Sequence, residues 1–355
     1  MSSEKTISIF LPTYNRYKDG HLKDSIESII NQSYKNFELF IVDDGSIDGS
    51  ENLIKEYSYS DSRIKHMRFE KNTGLPAYTT SVAFQRSKGE YLAFVFDDCI
   101  IYDNHLEILS DALENSNHGM VYGKAIALIN DLEKKEFGMP YDKSIIDRGD
   151  NYIPNVAVMI RRSVIEDIGW YDPHIIIKRL CDWDLWRRIG NKYSIGFVDK
   201  ILAIEKGIKL NDSLGNNYTV KPDLVLKYAS LKRNERLNPG RLTKESAFDL
   251  EILNLLNYEE TKDFWFLVLE HYINIGQVDE IFNNEKLTNG ILSLINKNSE
   301  DYYKNKNDVL FNLISFYFRS RISDIQLQNR LLEIQKEQEI KLKEQEIKLI
   351  HKHYL

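Results

Sequence analysis

Short apolar runs that break off at polar residues recur through the first half of the chain. "TISIFLPTY" is the first, a buried-strand pattern that runs into Pro12 and Thr13. In "HLKDSIESIINQ", Leu22, Ile26, Ile29 and Ile30 fall at helical spacing. "NFELFIVDDGS" reads as a second strand and ends in Asp43 and Asp44; "DGSENLIKEYS" then starts a helix, with Asp48 or Ser50 as N-cap. "IKHMRFE" and "YLAFVF" read as the third and fourth strands, and the fourth ends at Asp97 and Asp98. Strands and helices alternating at this spacing predict a mostly parallel sheet covered on both faces. The polar ends of the clearest strands then gather on one edge, where such sheets bind their ligands.

From about Pro222 the pattern turns helical. "LTKESAFDLEILNLLNYEETKDFWFLVLEHYINIG" carries apolar residues three and four apart and ends in glycine, and "DVLFNLISFYFRSRI" repeats the pattern with a dense aromatic face. Phe311, Phe316, Tyr317 and Phe318, beside Arg319 and Arg321, make either ordinary helical core or a face for lipid headgroups or a partner. The tail holds "KEQEIKL" twice, at 336–342 and 343–349. This suggests a long helix with a heptad-like stripe, although Ile340 and Leu342 are two apart and leave the seam imperfect. Glu337–Lys341, Glu339–Lys343 and Glu344–Lys348 are favourably ordered helix pairs, worth about 0.2–0.5 kcal/mol each. The tail is thus a solvated single helix or a self-association element. The expected divisions are 1–220, an α/β catalytic domain; 221–325, all-α; and 326–355, a long charged helix.

Composition narrows the function. An apolar content of 42% with 12% aromatics in 355 residues is that of a packed globular protein. A net charge of −7 argues against a nucleic-acid partner. The start "MSSEKTISIF" lacks the pattern of a secretory signal, and no apolar run approaches the roughly 18 residues of a membrane span. Two cysteines do not make a disulfide framework. The expectation is a cytoplasmic protein, with contact to the inner face of the membrane left open.

Two carboxylates at a strand end can cap a helix, hold a divalent cation or act as acid or base. Two such pairs on one edge favour the chemical roles. Mg²⁺ and Mn²⁺ take carboxylate oxygens together with the phosphate oxygens of a substrate, and would offset the charge of a departing diphosphate. Asp43 and Asp44 have a second use, accepting hydrogen bonds from a base N–H or a ribose hydroxyl.

"SIFLPTYNR", "SIINQSYKNFELFIVDDGSIDGS", "NTGL", "GEYLAFVFDD" and "CDWDLWRRI" occur in that order. Over residues 6 to 205 the chain resembles the family 2 glycosyltransferases, which have the nucleotide-sugar-binding fold called GT-A. The resemblance implies a GT-A-type α/β sheet with helices on both faces, inverting transfer from a nucleotide-diphosphate sugar to a glycan or lipid-linked glycan, and a Mg²⁺ or Mn²⁺ cofactor. Pro12, Thr13, Tyr14 and Arg16 match the first nucleotide loop, and Asp43 and Asp44 the acids that meet base and ribose. Asp97 and Asp98 match the motif that binds the sugar diphosphate, Asp98 being the metal ligand. Asp182 matches the catalytic base; its other reading is an N-cap, while Asp184 fits a first-turn role at the helix dipole.

Three departures stand out. Cys99 and Cys181 occupy places where relatives often carry acids, and both read as small buried thiols. Tyr78, Thr79 and Thr80 replace a common Ala-Arg-Asn, so that Lys71, Arg86 or another cation would supply those contacts. Trp170 and Tyr171 suit stacking on a sugar ring or core packing equally well. The segment "EKGIKLNDSLGNNY" reads as an exit loop or a lid that brings Glu205 or Asp212 near the metal, and His105 reads as structural. Two other classes compete: a nucleotidyltransferase, whose glycine-rich basic phosphate loop is not visible here, and a non-catalytic scaffold, which the two cysteines favour.

Overall fold

The structure is a computed structural model that describes residues 4–128, 134–206, 219–231 and 237–282, with isolated positions up to 290. The most continuous apolar run becomes an interior strand, β1 (Ile7–Thr13), with six of seven residues buried. It runs parallel to β2 (Phe37–Asp43) on one side and β4 (Tyr91–Phe94) on the other, and β3 (Ile64–Arg68) follows beside β2. Ile7, Ile9 and Leu11 join a core that contains Leu22, Ile26 and Ile29 of α1 (His21–Ile30) and Ile54 of α2 (Ser50–Ser60). Strand alternation turns Phe10 to the opposite face. There it meets Trp170, which also packs against Phe84 of α3 (Pro76–Phe84). Helices thus cover both faces, as the pattern predicts.

The N-cap of α2 differs in detail. Gly49, at φ 108, holds the cap position, and Asp48 Oδ1 accepts the Ser50 amide at 3.0 Å from one residue earlier. Both candidates therefore take part, Asp48 as acceptor and Ser50 as the first helical residue.

Beyond β4 the sheet departs from the parallel reading. The remaining strands are β5 (Cys99–Ile101), β6 (Met120–Leu128), β7 (Lys134–Phe137), β8 (Val158–Arg161) and β9 (Ile195–Glu205). The sheet order is β3-β2-β1-β4-β8-β6-β9-β5, with β7 paired to β6. β8 is antiparallel to both β4 and β6, and β5 is antiparallel to β9. The sheet is therefore mixed. Helices α4 (His105–Glu114), α5 (Lys143–Asp147), α6 (Arg162–Ile168) and α7 (Cys181–Gly190) connect this half. His105 has the structural role expected of it. It is fully buried, its Nδ1 lies 3.0 Å from the Leu202 carbonyl oxygen, and burial lowers its pKa to about 4.

The helical second half is less continuous than its periodicity suggests. α8 (Pro222–Ala229), α9 (Tyr258–Asn274) and α10 (Val278–Phe282) are helices. Between α8 and α9 the chain forms 3-10 turns at Pro239–Arg241, Lys244–Phe248 and Glu251–Leu255. Short polar side chains explain the break: Thr243 and Ser246 cap one turn reciprocally, and Asp249 Oδ1 accepts the Glu251 amide at 2.9 Å. α9 opens with a capping box between Asn257 and Glu260 and buries every residue from Phe264 to Tyr272. A helix buried on all sides is an interior element. All of these elements lie in one compact unit, Met1–Glu285, and Lys286–Leu355 form a second.

The aromatic stretch from Phe311 to Phe318, the repeated heptad at 336–349 and Asp212 of the expected lid lie outside the described residues. Among the described residues no helix is long and apolar enough to cross a membrane.

Candidate functional site

Parallel β2 and β4 deliver the acids to one edge, beside the end of β1. Thr13 at the end of β1 stands in register with Asp43 at the end of β2, and the Asp44 amide donates to the Thr13 carbonyl at 2.9 Å. Asp43 is fully buried, its carboxylate held by the Arg68 guanidinium and by the Ser46 amide at 2.8 Å. Asp44 accepts the Thr73 amide at 2.9 Å, the Thr73 hydroxyl at 3.1 Å and the Gly74 amide at 2.9 Å. Burial raises its pKa against these donors. Gly45 makes the turn feasible: at φ +80 a Cβ there would stand 2.7 Å from the Lys71 carbonyl carbon.

The first loop wraps toward β4. The Tyr14 amide donates to Asp97 Oδ2 at 3.3 Å, and Arg16 Nε lies 3.6 Å from Asp97 Oδ1. Asn15 takes a left-handed φ of 54, and its Oδ1 accepts the Ile47 amide at 2.9 Å, which ties the loop to the Asp43–Asp44 turn. Tyr14 remains exposed while Arg16 is buried. Burial, then the charge of Asp98, lifts the Asp97 carboxyl to about 7 against the pull of Arg16.

Asp98 receives the Cys99 thiol on Oδ1 at 3.2 Å, and its carbonyl takes the Lys206 amide at 2.9 Å. Burial and adjacent carboxylates hold Cys99 well above its usual pKa, so it stays a thiol that donates to Asp98. β9 returns antiparallel to β5 and sets Glu205 opposite Cys99. Burial, then Asp98, then Asp182 push the Glu205 carboxyl to about 7. Glu205 thus lies within electrostatic reach of both acids.

Asp182 sits in the first turn of α7 rather than at its N-cap. A 3-10 turn, Lys178–Leu180, runs straight into the helix and leaves the cap position to Leu180. Asp182 Oδ1 accepts the Trp183 amide at 2.8 Å, and Oδ2 accepts Asn151 Nδ2 at 2.8 Å. Burial raises its pKa against these two hydrogen bonds. Asp184 points into the core, where it pairs with Arg188 at 2.8 Å and Arg187 at 3.4 Å. That ion pair is an anchor for the segment ahead of α7, since Arg188 also donates to the carbonyls of Ile168 at 3.0 Å and Trp170 at 2.6 Å.

The structure therefore brings Asp44, Asp97, Asp98 and Asp182 to one side of the sheet, with Thr13, Tyr14 and Arg16 between the first two. It does not bring Trp170 and Tyr171 there. Trp170 is fully buried among Phe10, Phe84 and Phe94, and the Tyr171 hydroxyl is committed to Asn155 at 2.9 Å. Their aromatic surface is core. Cys181 has its pKa raised by burial and is likewise a thiol. Lys71 is paired with Glu280 at 3.2 Å. Sequence reasoning missed Arg68, Asn151 and Lys178. Arg68 lies on a recognised strand one residue before Phe69, and Asn151 in a polar turn, but neither carries a motif that announces a partner so far along the chain.

No cluster of three His, Cys, Asp or Glu among the described residues is arranged to hold a metal by itself. The donor set nonetheless suits a hard cation. Asp98 offers a carboxylate next to two acids whose pKa values it raises, and its neighbouring sulfur is protonated.

Known proteins share this sequence and fold. The model of glycosyl transferase family 2 matches residues 8–169. The putative glycosyltransferase EpsE of Bacillus subtilis is 30% identical over 205 residues, which is 53% of this chain and 68% of EpsE. The poly(ribitol-phosphate) beta-N-acetylglucosaminyltransferase TarP of Staphylococcus aureus is 29% identical over 175 residues, 46% of this chain and 50% of TarP. S. aureus TarS 1-349, solved in complex with UDP-GlcNAc, superposes with a TM-score of 0.51 at 16% identity, over 84% of this chain and 91% of that one, a likeness of fold. Of other relatives the chain spans a minor part: 15% of an uncharacterized glycosyltransferase of Rickettsia bellii and 42% of one from Rickettsia felis are two examples.

Proposed function

The chain belongs to glycosyl transferase family 2, and on that premise we propose that it is an inverting glycosyltransferase acting in surface polysaccharide or glycoconjugate assembly. It moves a sugar from a nucleoside diphosphate donor to a hydroxyl of a glycan acceptor. The observation that supports this reading is the set of carboxylates Asp44, Asp97 and Asp98 beyond the ends of β2 and β4, with Glu205 opposite Cys99 and Asp182, in the first turn of α7, within electrostatic reach of Glu205. Cys99 and Cys181 replace acids without removing Asp98 or Asp182 from this set, which weighs against a degenerate scaffold.

In this reading Asp44 and the Pro12–Arg16 loop serve the base and ribose. Asp43, committed to Arg68 and Ser46, supports the turn from behind. Asp98 would hold Mg²⁺ or Mn²⁺ together with diphosphate oxygens of the donor, and that cation supplies charge compensation for the departing diphosphate. Asp182 takes the proton of the acceptor hydroxyl while that hydroxyl's oxygen bonds to the anomeric carbon. The bond from that carbon to the diphosphate oxygen breaks, and its electron pair leaves with the diphosphate. Attack from the opposite face inverts the anomeric centre. Burial, by raising the pKa of Asp182, makes it the stronger base. TarP, by its name, transfers N-acetylglucosamine, so UDP-GlcNAc is the first donor to try.

Chelation tests the metal assignment. EDTA lowers turnover at least about tenfold, and Mg²⁺ or Mn²⁺ restores it. Asp98→Asn weakens donor binding when metal is present and has little effect when it is absent; equal loss in both conditions makes Asp98 structural. Asn151 gives a further prediction. Its amide stabilises the ionised form of Asp182, so Asn151→Ala raises the pKa of the base. A base works deprotonated, so the acid limb of the kcat–pH profile moves to higher pH; the lost hydrogen bond also leaves the carboxylate less well oriented, which lowers the plateau by about two- to tenfold. An unmoved acid limb excludes Asn151 from this role.

A further inference from the structure

We propose that helix α9 and the turn after it form a wall of the donor-nucleotide subsite, with Lys178 and Gln277 as positioning residues for the Asn72–Gly74 loop and, through it, for Asp44. The inference rests on the assignment of Asp44 to the nucleotide. It extends the subsite to residues well beyond 169, where the family match ends.

Asp44 is set by two consecutive residues, Thr73 and Gly74, which supply all three of the donors described above. A carboxylate has about four acceptor sites, so roughly one remains for a base N–H or a ribose hydroxyl. Where that last site points depends on the 72–74 loop. The loop in turn is clamped from the C-terminal side. Gln277 Nε2 donates to the Asn72 carbonyl at 2.6 Å, and Lys71 Nζ lies 3.2 Å from Glu280 of α10. Gly74 is packed so closely under the end of α9 that a Cβ there would stand 2.4 Å from Ile275 Cγ2 and 3.6 Å from Lys178 Nζ. Its φ of +59 also excludes most side chains.

Lys178 joins the two sides. It is buried, its Nζ lies 3.0 Å from Nδ1 of the fully buried His271 on α9, and burial holds its pKa well below the usual lysine value against the opposing charges of Asp44 and Glu270. Glu270 is occupied as well: it receives the Thr219 amide at 2.8 Å and hydroxyl at 2.6 Å. The Lys178 side chain thus fills the space between His271 and Gly74, and holds from behind the loop whose amides hold Asp44. Lys178 also stands four residues before Asp182, so the turn carrying the proposed base starts at the nucleotide side of the cleft.

The test compares wild type with Lys178→Met and Gln277→Ala, measuring affinity for UDP, GDP, CDP and dTDP by calorimetry, donor KM, kcat and melting temperature. Lys178→Met weakens the nucleoside diphosphate that the wild type binds by about tenfold or more, and Gln277→Ala by about threefold, with the loss in Kd and KM rather than in kcat. Gln277 is half-buried at the loop, so its variant remains informative if Lys178→Met does not fold. A folded Gln277→Ala with unchanged affinity overturns the proposal, as does a loss of kcat and melting temperature at constant KM, which marks α9 as scaffold. A wild type that binds none of the four overturns the nucleotide-sugar reading, and this inference with it.

Discussion

Replacing Asp182 with asparagine lowers kcat by about 10²–10⁴-fold while donor affinity stays near wild type. The carboxylate accepts two hydrogen bonds, from the Trp183 amide and from Asn151 Nδ2. An asparagine has one amide oxygen in place of two carboxylate oxygens, so it keeps one of these and loses or rearranges the other. The expected stability cost is about 0.5–1.5 kcal/mol. Loss of the proton acceptor costs far more in rate, roughly 3–5 kcal/mol of barrier. Turnover, donor binding and melting temperature measured on one preparation separate the two effects. A variant that keeps more than about a tenth of wild-type turnover is not missing its base. Glu205 is then the acid to test, because it lies within reach of both Asp98 and Asp182.

Arg188→Met, in contrast, destabilises the fold by about 3–5 kcal/mol, read as a lower urea midpoint. Asp184 is fully buried against the Arg188 guanidinium, and the same guanidinium binds the Ile168 and Trp170 carbonyls. Methionine fills much of the volume and satisfies none of these groups. The double variant Asp184→Leu with Arg188→Met recovers part of the loss, because removing both charges removes the desolvation cost as well. A loss below about 1 kcal/mol in the single variant contradicts the anchoring role. The pair of experiments also distinguishes two aspartates two residues apart: Asp182 governs rate, Asp184 stability.

The parallel half of the sheet is legible in the sequence because buried parallel strands read as unbroken apolar runs. β2 ends at its acid pair, β4 runs into Asp97 and Asp98 three residues on, and β1 ends in the polar loop from Thr13 to Arg16, so the strands and the cleft are announced together. β8 is different. Its apolar run is visible, but strand direction leaves no period in a sequence, and the antiparallel insertion between β4 and β6 emerges from pairing alone. The 3-10 turns between α8 and α9 were hidden for another reason: helical spacing of leucines persists there, while Thr243, Ser246 and Asp249 take the local backbone hydrogen bonds. Trp170 and Tyr171 carry chemistry that suits a sugar, and only their burial assigns them to the core. In the site, the first-contact acids carry motifs and their supports do not. Asn151 and Lys178 act through partners 31 and 93 residues away, distances at which no local pattern operates.

The central claim is transfer from a nucleotide sugar, and release of nucleoside diphosphate tests it most directly. The full chain is incubated with Mn²⁺ and, in turn, UDP-GlcNAc, other UDP-sugars, GDP-mannose and dTDP-sugars. Release is followed with and without EDTA, beside the Asp182→Asn variant. The account predicts metal-dependent release from at least one donor, reduced at least about tenfold by Asp182→Asn. Folded wild-type protein that releases nothing from any donor and binds none of the nucleoside diphosphates contradicts it.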